Sequence, residues 1–152
     1  MSADTQKPSK ELDDYFIFES DPQISDKWGK YDIKLSGKWM MFYPWSIMDE
    51  KWEEAVRQYR SGKLTGITSM KVGTKKQNPR VSDTSTGVII FYCGPENDEK
   101  LMMSYGQNLL KYFPYTNAFG HMSYKSDIQT LQGTRATGQK SNSKYKIPVP
   151  RK

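Results

Sequence analysis

The chain has 152 residues, enough for one domain of ordinary size, and its single cysteine excludes an internal disulfide. Its longest apolar runs have the length of strands and its first residues do not resemble a signal peptide, so we expect no membrane span and a cytoplasmic or nuclear location. The net charge of +6 is unevenly placed, because residues 57–82 carry seven basic side chains and residues 129–152 carry six, with no acid in either segment.

Composition divides the chain into three regions. Residues 1–13 are polar and mixed in charge, which predicts a disordered tail. Residues 14–128 hold the apolar segments and are expected to form a single domain. Residues 129–152 are basic and rich in Gly, Ser and Lys, which predicts a loop, and their last part favours an edge strand because prolines are poorly tolerated in a central one.

Five segments of the domain have the pattern of strands. Residues 14–18 are a short aromatic run, typical of a strand or of a peptide that packs onto the domain. Residues 38–43 are apolar on both faces, which favours a central strand or a strand with one face toward a ligand. Residues 67–72 alternate, residues 88–93 are strongly apolar, and residues 120–125 are a weakly marked last strand.

Two amphipathic helices are predicted between these strands. Ser46 followed by Asp49 resembles a capping box at the start of the first helix, and Asn97 or Asp98 caps the second. Residues 21–36 are expected to be a loop. The apolar stripes of the two helices are Trp52, Ala55, Val56 and Tyr59 in the first, and Leu101, Met102, Tyr105, Leu109 and Tyr112 in the second.

The order of these elements predicts an α+β fold. The two strands that follow each other without a helix, residues 67–72 and 88–93, are expected to be an antiparallel pair. The two main helices then pack on one face of a mostly antiparallel sheet.

Several short motifs carry a resemblance to a known family. They are Ser-Gly-Lys-Trp-Met-Met at residues 36–41, Asp-Glu-Lys-Trp at 49–52, Gly-Lys-Leu at 62–64, Ser-Met-Lys-Val at 69–72 and Val-Ile-Ile-Phe-Tyr at 88–92. The chain resembles, over about residues 36–124, the uncharacterised basophilic leukaemia-expressed protein family, whose fold is like that of the eukaryotic cap-binding translation initiation factor. The resemblance implies a curved antiparallel sheet with helices on its convex side and a ligand surface on its concave side.

The segment 134–144 also looks like the C-terminal Thr/Lys/Ser/Gly loop of the cap-binding factor. In that factor the loop lies near the phosphates of the cap, which implies a similar role for Arg135 or Lys140. The loop at residues 73–86 departs from the factor, because it holds no aromatic side chain to complete the two-plane sandwich around a cap base.

Basic loops and loop aromatics are the candidate ligand-binding residues. Lysine and arginine neutralise phosphates, and aromatic rings stack on bases. The same side chains also suit a solvated loop or the edge of a core, and that alternative stays open for each of them, whereas Trp39 and Trp52 are expected in the core. The phosphate candidates are Lys75, Lys76, Arg80, Arg135 and Lys140, and the aromatic candidates are Trp28, Tyr43 and Trp45.

No pattern for catalysis or for a metal or cofactor is recognised. Residues 133–141 resemble a P-loop, but Gln139 interrupts the required Gly-Lys-Ser/Thr sequence and no strand precedes it. Cys93 and His121 fit a buried thiol and a loop histidine better than a catalytic pair. The acidic cluster at residues 49–54 is expected to be a solvated helix face.

The sequence therefore predicts a non-enzymatic binding module for a phosphate-bearing nucleotide or RNA, which uses aromatic stacking and basic loops. Two alternatives remain at this stage. One is an adaptor that binds a protein partner, and the other is an enzyme that acts on a phosphorylated small molecule.

Overall fold

The computed structural model of the chain describes residues 6–76, 85–128 and 143–152. Two short 3-10 helices span Pro8–Lys10 and Ile33–Leu35. No helix in the described ranges is long and apolar enough to span a membrane. The strands and α-helices of these ranges are β1 (Phe16–Ser20), α1 (Pro22–Trp28), β2 (Gly37–Pro44), α2 (Trp45–Arg60), β3 (Ser69–Gly73), β4 (Thr86–Cys93), α3 (Glu99–Tyr112), β5 (His121–Ser126) and β6 (Tyr145–Pro148).

The six described strands form one sheet in the order β1-β3-β4-β2-β5-β6, and every neighbouring pair is antiparallel. The α+β class with a curved antiparallel sheet is thus confirmed. β3 and β4 pair as predicted for consecutive strands. β2 lies between β4 and β5, so its partners both come from later in the chain. The aromatic run at residues 14–18 leads into β1, which is one edge, and β6 is the other.

One face of the sheet packs against the helices and forms the core. Alternate residues of each strand point to this face, which is why Trp39 and Met41 of β2 are fully buried. The predicted stripes of both main helices supply the other half of the layer. The core side chains of α2 and α3 are Met48, Trp52, Ala55, Val56, Tyr59, Met102, Tyr105 and Leu109.

α3 approaches β2 closely at Gly106. A Cβ atom built on Gly106 would lie 2.7 Å from the ring of Trp39 and 2.5 Å from Ile147 Cδ1. One turn earlier, Trp39 Nε1 donates a hydrogen bond of 3.0 Å to the backbone oxygen of Met102. The missing side chain at Gly106 therefore allows the contact that gives the buried indole its partner.

Residues 8–13, which lie within the predicted tail of residues 1–13, make contacts with the folded domain. Pro8 is buried, and its carbonyl oxygen accepts a hydrogen bond of 3.0 Å from Lys75 N. Ser9 donates from its backbone nitrogen and from Oγ to the two carboxylate oxygens of Asp49, at 2.9 and 2.5 Å. We call residues 8–15 the N-terminal strap, because they join α2 to the end of β3.

The start of α2 differs from the predicted capping box. The helix begins at Trp45 after Pro44, without a side-chain cap. The pairing of Ser46 with Asp49 is therefore wrong, since the Asp49 carboxylate is satisfied by the N-terminal strap instead. A cap motif predicts only a local partner, and here a distant one has the better geometry.

The segment at residues 21–36 is also more regular than the expected loop. It contains α1, where Pro22 occupies the first turn and the side chain of Asp21 accepts a hydrogen bond from Gln23 N. Aspartate followed by proline is a helix-start signal, and it is the cue that sequence reasoning missed here.

Candidate functional site

The second face of the sheet is not covered by the described helices, and we call it the open face. Its strand side chains share one property, which is that no Asp or Glu is among those in the described ranges. Four exposed or half-buried aromatic rings and four lysines stand among small and aliphatic residues. The aromatic and basic members are Phe16, Phe18, Phe42, Tyr92, Lys38, Lys71, Lys125 and Lys146.

Lysines from two central strands meet near one end of the open face. Lys38 of β2 lies directly opposite Lys125 of β5, and on its other side it faces Tyr92 of β4. Side chains directly opposite in an antiparallel ladder have Cβ atoms only about 5 Å apart, and like charges there are destabilising. Asp127, which follows β5, offsets part of this repulsion through a salt bridge of 3.1 Å to Lys38 Nζ.

The electrostatics of these lysines show the strain of the arrangement. Partial burial, and then the charge of Lys38, lower the pKa of both Lys71 and Lys125. The charge of Asp127 has the opposite effect and raises the pKa of Lys71. Burial also raises the pKa of Tyr92 to about 12. A polyanion on this face would relieve the repulsion that the lysines impose on one another.

Lys71 is surrounded by aromatic rings. Its Nζ lies 4.0 Å from the ring centroid of Phe16, 5.7 Å from that of Phe18 and 5.8 Å from that of Tyr92. Cation–π contacts of this kind hold an ammonium group in place. A ring and a fixed positive charge are thus available together at the β1 edge of the sheet.

Two phenylalanines of the open face are exposed. Phe18 has 68 % of its surface accessible and Phe42 has 47 %. An exposed ring beside lysines on a sheet is a typical stacking platform for bases. The open face therefore combines the two contacts that a nucleotide needs, one for the base and one for the phosphate.

The structure brings together three of the predicted ligand residues at the far end of β3. Lys75 Nζ lies 5.2 Å from the ring centroid of Trp45. Lys76 Nζ donates a hydrogen bond of 2.7 Å to the Asp13 carbonyl and lies 4.5 Å from the ring of Tyr15. The N-terminal strap thus holds Lys76, while Lys75 is exposed beside the half-buried Trp45.

Two predicted aromatic candidates do not belong to a shared site. Tyr43 is only 5 % exposed and packs edge-on against Tyr115, so its proposed stacking role is wrong. It shares the parity of Trp39 and therefore faces the core. Trp28 packs edge-on against Tyr105 of α3, on the helical side of the sheet.

The two basic loops of the prediction leave the sheet at opposite ends. The loop from β3 to β4 begins and ends near Pro44, at one end of the strands. The segment between β5 and β6 begins and ends at the opposite end, where Gly37 lies. Each antiparallel ladder reverses the strand direction, and three ladders separate β3 from β5. The two strands therefore run in opposite directions and end at opposite ends of the sheet. Arg80, Arg135 and Lys140 lie outside the described residues, so their proposed phosphate contacts stay predictions.

The described residues bring no catalytic pair together. Cys93 is fully buried, and burial raises the pKa of its thiol. It faces Gly37 at one end of the sheet, whereas His121 faces Pro148 at the other. No group of three or more His, Cys, Asp or Glu side chains suited to a metal ion occurs in the described part of the chain.

Sequence reasoning selected none of the aromatic and basic residues of the open face, which are Phe16, Phe18, Phe42, Tyr92, Lys38, Lys71, Lys125 and Lys146. The alternation at residues 67–72 does mark Lys71 as pointing away from the core. What no local pattern contains is the register that sets Lys38 beside Lys125. The signal that could have found the site is that several predicted strands each carry a lysine at a position whose side chain points away from the core.

Comparisons with known proteins support the fold. No protein-family model matches the chain, and no curated protein matches its sequence. A schistosome eIF4E in complex with m7GpppA and 4E-BP aligns with a TM-score of 0.68 and 15 % identity, covering 95 % of this chain and 76 % of that one.

Two nematode structures align less fully. An Ascaris suum eIF4E-3 in complex with an m2,2,7G cap has a TM-score of 0.54 and 13 % identity, covering 76 % of this chain and 61 % of that one. A C. elegans eIF4E-3 in complex with the 4E-binding protein Mextli has a TM-score of 0.54 and 11 % identity, covering 76 % and 62 %. These likenesses show the cap-binding-factor-like fold, while the basophilic leukaemia-expressed family stays a prediction from the sequence.

Proposed function

We propose that the chain is a non-enzymatic binding module whose open face holds a phosphate-bearing nucleotide or RNA. The observation that carries the proposal is the pair Lys38 and Lys125, set directly opposite each other on a face without strand carboxylates. Phosphates would neutralise these lysines, and exposed rings nearby would stack on bases, with about 1–3 kcal/mol for each stacked base.

The fold neighbours support the same ligand class by analogy. Two of them were solved with cap nucleotides, m7GpppA in one and an m2,2,7G cap in the other. An analogy of fold does not carry a ligand from one protein to another, so the argument rests on the lysines and rings of this chain. Such a ligand is met in the cytoplasm or the nucleus.

A direct binding measurement tests the proposal. Fluorescence anisotropy with a labelled octauridylate and with a labelled guanosine triphosphate, at about 50 mM salt, should detect binding that weakens steeply as salt rises. The double variant Lys38→Gln with Lys125→Gln should lose most of it. The matched control, Lys100→Gln with Lys111→Gln on α3, removes the same charge from the helical side and should bind as the unchanged chain does.

Two outcomes of these titrations would overturn the proposal. No detectable binding of either probe at low salt would exclude a nucleotide or RNA ligand. Equal loss of binding in the two double variants would reduce the interaction to net charge, and the open face would not be the site.

A protein-binding adaptor is the second candidate. Two of the neighbours were solved with protein partners, 4E-BP and the 4E-binding protein Mextli. Capture of a discrete protein that survives nuclease treatment, together with unchanged capture by the Lys38→Gln and Lys125→Gln double variant, would favour this function over nucleic-acid binding.

A further inference from the structure

We propose that the ligand of the open face is a single-stranded polynucleotide that runs across the strands from β1 to β6, and not a mononucleotide. This inference rests on the proposed function and specifies its ligand. It follows from the way in which aromatic and basic side chains are distributed over the whole width of the sheet.

One row of directly opposed residues crosses all six strands. Phe18 of β1 faces Lys71 of β3, and at the other side Ser123 of β5 faces Lys146 of β6. Ile90 and Met40 complete the row between them. Adjacent strands lie about 4.8 Å apart, so Lys71 and Lys146, four strands apart, are separated by about 19 Å.

A second row lies parallel to the first, two residues further along β4, β2 and β5. It places Tyr92, Lys38 and Lys125 side by side on β4, β2 and β5. Lys125 and Lys146 are diagonal neighbours, about 7–8 Å apart at Cβ. Four of the five strands from β3 to β6 therefore supply a lysine, and the positive charge continues across the sheet instead of gathering at one point.

We call Lys71, Lys38, Lys125 and Lys146 together the track. Its length excludes a mononucleotide as the full ligand. The phosphates of one nucleotide follow each other directly and can reach the Lys38 and Lys125 pair, but not Lys71 and Lys146 as well. A strand of several nucleotides has phosphates at repeated intervals and meets all four lysines. β1 and β6 are the edge strands of the described sheet, so no described strand lies beyond either end of the path that the polynucleotide would follow.

The track also has a direction. Rings are concentrated at the β1 side, where Phe16, Phe18 and Tyr92 surround Lys71. The β6 side holds Lys125 and the exposed Lys146, without an open-face ring on either strand apart from His121. Bases therefore stack at the β1 side, while contacts at the β6 side go to phosphates and do not depend on the base.

A length series tests the inference. Anisotropy titrations with labelled uridylates of one, two, four, six and eight nucleotides should show affinity that rises steeply to about four to six nucleotides and then levels off. Oligodeoxyuridylates of the same lengths, which differ from the uridylates only in the sugar, show whether the 2′-hydroxyl matters. Lys146→Gln should weaken octauridylate several-fold, lower its salt slope by about 0.7 and leave the mononucleotide unchanged. Lys100→Gln on α3 is the control.

A second variant tests the direction of the track. Phe18→Leu keeps an apolar side chain at an exposed edge position and removes only the ring, so folding is preserved. It should weaken the longer oligomers while leaving the effect of Lys146→Gln in place. Thermal melting of each variant separates loss of binding from loss of structure.

The failure of the inference is distinguishable from the failure of the function. If the mononucleotide binds as tightly as the octamer, and Lys146→Gln changes neither, the track is wrong and the nucleotide site survives. If no length binds at low salt, the proposed function itself fails.

Discussion

Lys38 and Lys125 occupy directly opposed positions on β2 and β5, and the carboxylate of Asp127 lies 3.1 Å from Lys38 Nζ. Two lysines in this relationship oppose folding, because like charges repel across a ladder. Under the proposed function, an anionic ligand offsets this repulsion. The first two predictions depend on this relationship.

Lys125→Gln should stabilise the unliganded protein and weaken its binding. Removing one of two opposed charges relieves repulsion worth about 0.2–1 kcal/mol. Urea denaturation at low salt should show the gain, and the gain should shrink at high salt because ions screen the repulsion. Octauridylate affinity should fall in the same variant. A stability loss at low salt would contradict the repulsion between these lysines.

Asp127→Asn should have the opposite pair of effects. The variant loses the salt bridge to Lys38, which costs about 0.5–1 kcal/mol, and it leaves the lysines less neutralised. Anion affinity should therefore rise while the unfolding free energy falls. Denaturation and anisotropy on the same preparation measure both quantities. Weaker anion binding would show that Asp127 positions Lys38 for the ligand and does not compete with it.

Gly106→Ala should destabilise the protein, although alanine is favoured over glycine within a helix by about 1 kcal/mol. The new Cβ would overlap the ring of Trp39 and the end of Ile147. Overpacking of this kind typically costs about 1–3 kcal/mol, so the net change is a loss. Ser104→Ala, on the exposed side of α3, is the control. A higher denaturation midpoint for Gly106→Ala would show that α3 can shift.

Ser9→Ala should loosen the N-terminal strap without unfolding the domain. It removes the hydroxyl that donates to Asp49 and keeps the backbone donor. A typical hydrogen bond to a charged group contributes about 1.5–3 kcal/mol. Hydrogen exchange should therefore accelerate at the amide of Lys75, which donates to Pro8 O. Unchanged exchange there would mean that the strap is held by other contacts.

Tyr92→Phe should reduce the loss of stability at alkaline pH. Burial raises the pKa of Tyr92 to about 12, above the ordinary value of about 10 for the unfolded chain. The folded state thus binds this proton more tightly, and its contribution is complete below pH 10 and is lost as pH rises toward 12. Urea midpoints between pH 9 and pH 12 should decline less steeply in the variant than in the unchanged chain.

The α+β class could be predicted because it depends on local patterns. The alternation in residues 67–72 and the helical stripe around Trp52 each indicate which side of the element is buried. In the structure those sides do form the core. Tyr43 shows the limit of this reasoning. It ends the predicted strand at residues 38–43 and was selected because it lies beside a loop, but the alternation of β2 turns its ring into the core.

The candidate site was beyond prediction for a different reason. Lys38 and Lys125 lie far apart in sequence, and only the insertion of β2 between β4 and β5 brings them together. Charge counting identified basic loops instead, because it cannot detect single lysines on separate strands. The Asp49 cap failed in the same way, since its partner Ser9 is also distant in sequence.

The position of β2 has a consequence for the order in which the molecule is made. β2 is the earliest of the three central strands, yet both strands that flank it, β4 and β5, emerge from the ribosome later. Until β5 is synthesised, the backbone of residues 37–40 in β2 has no partner strand on that side. We therefore expect a nascent chain that ends before His121 to expose this unpaired edge, which is the feature that a chaperone would protect.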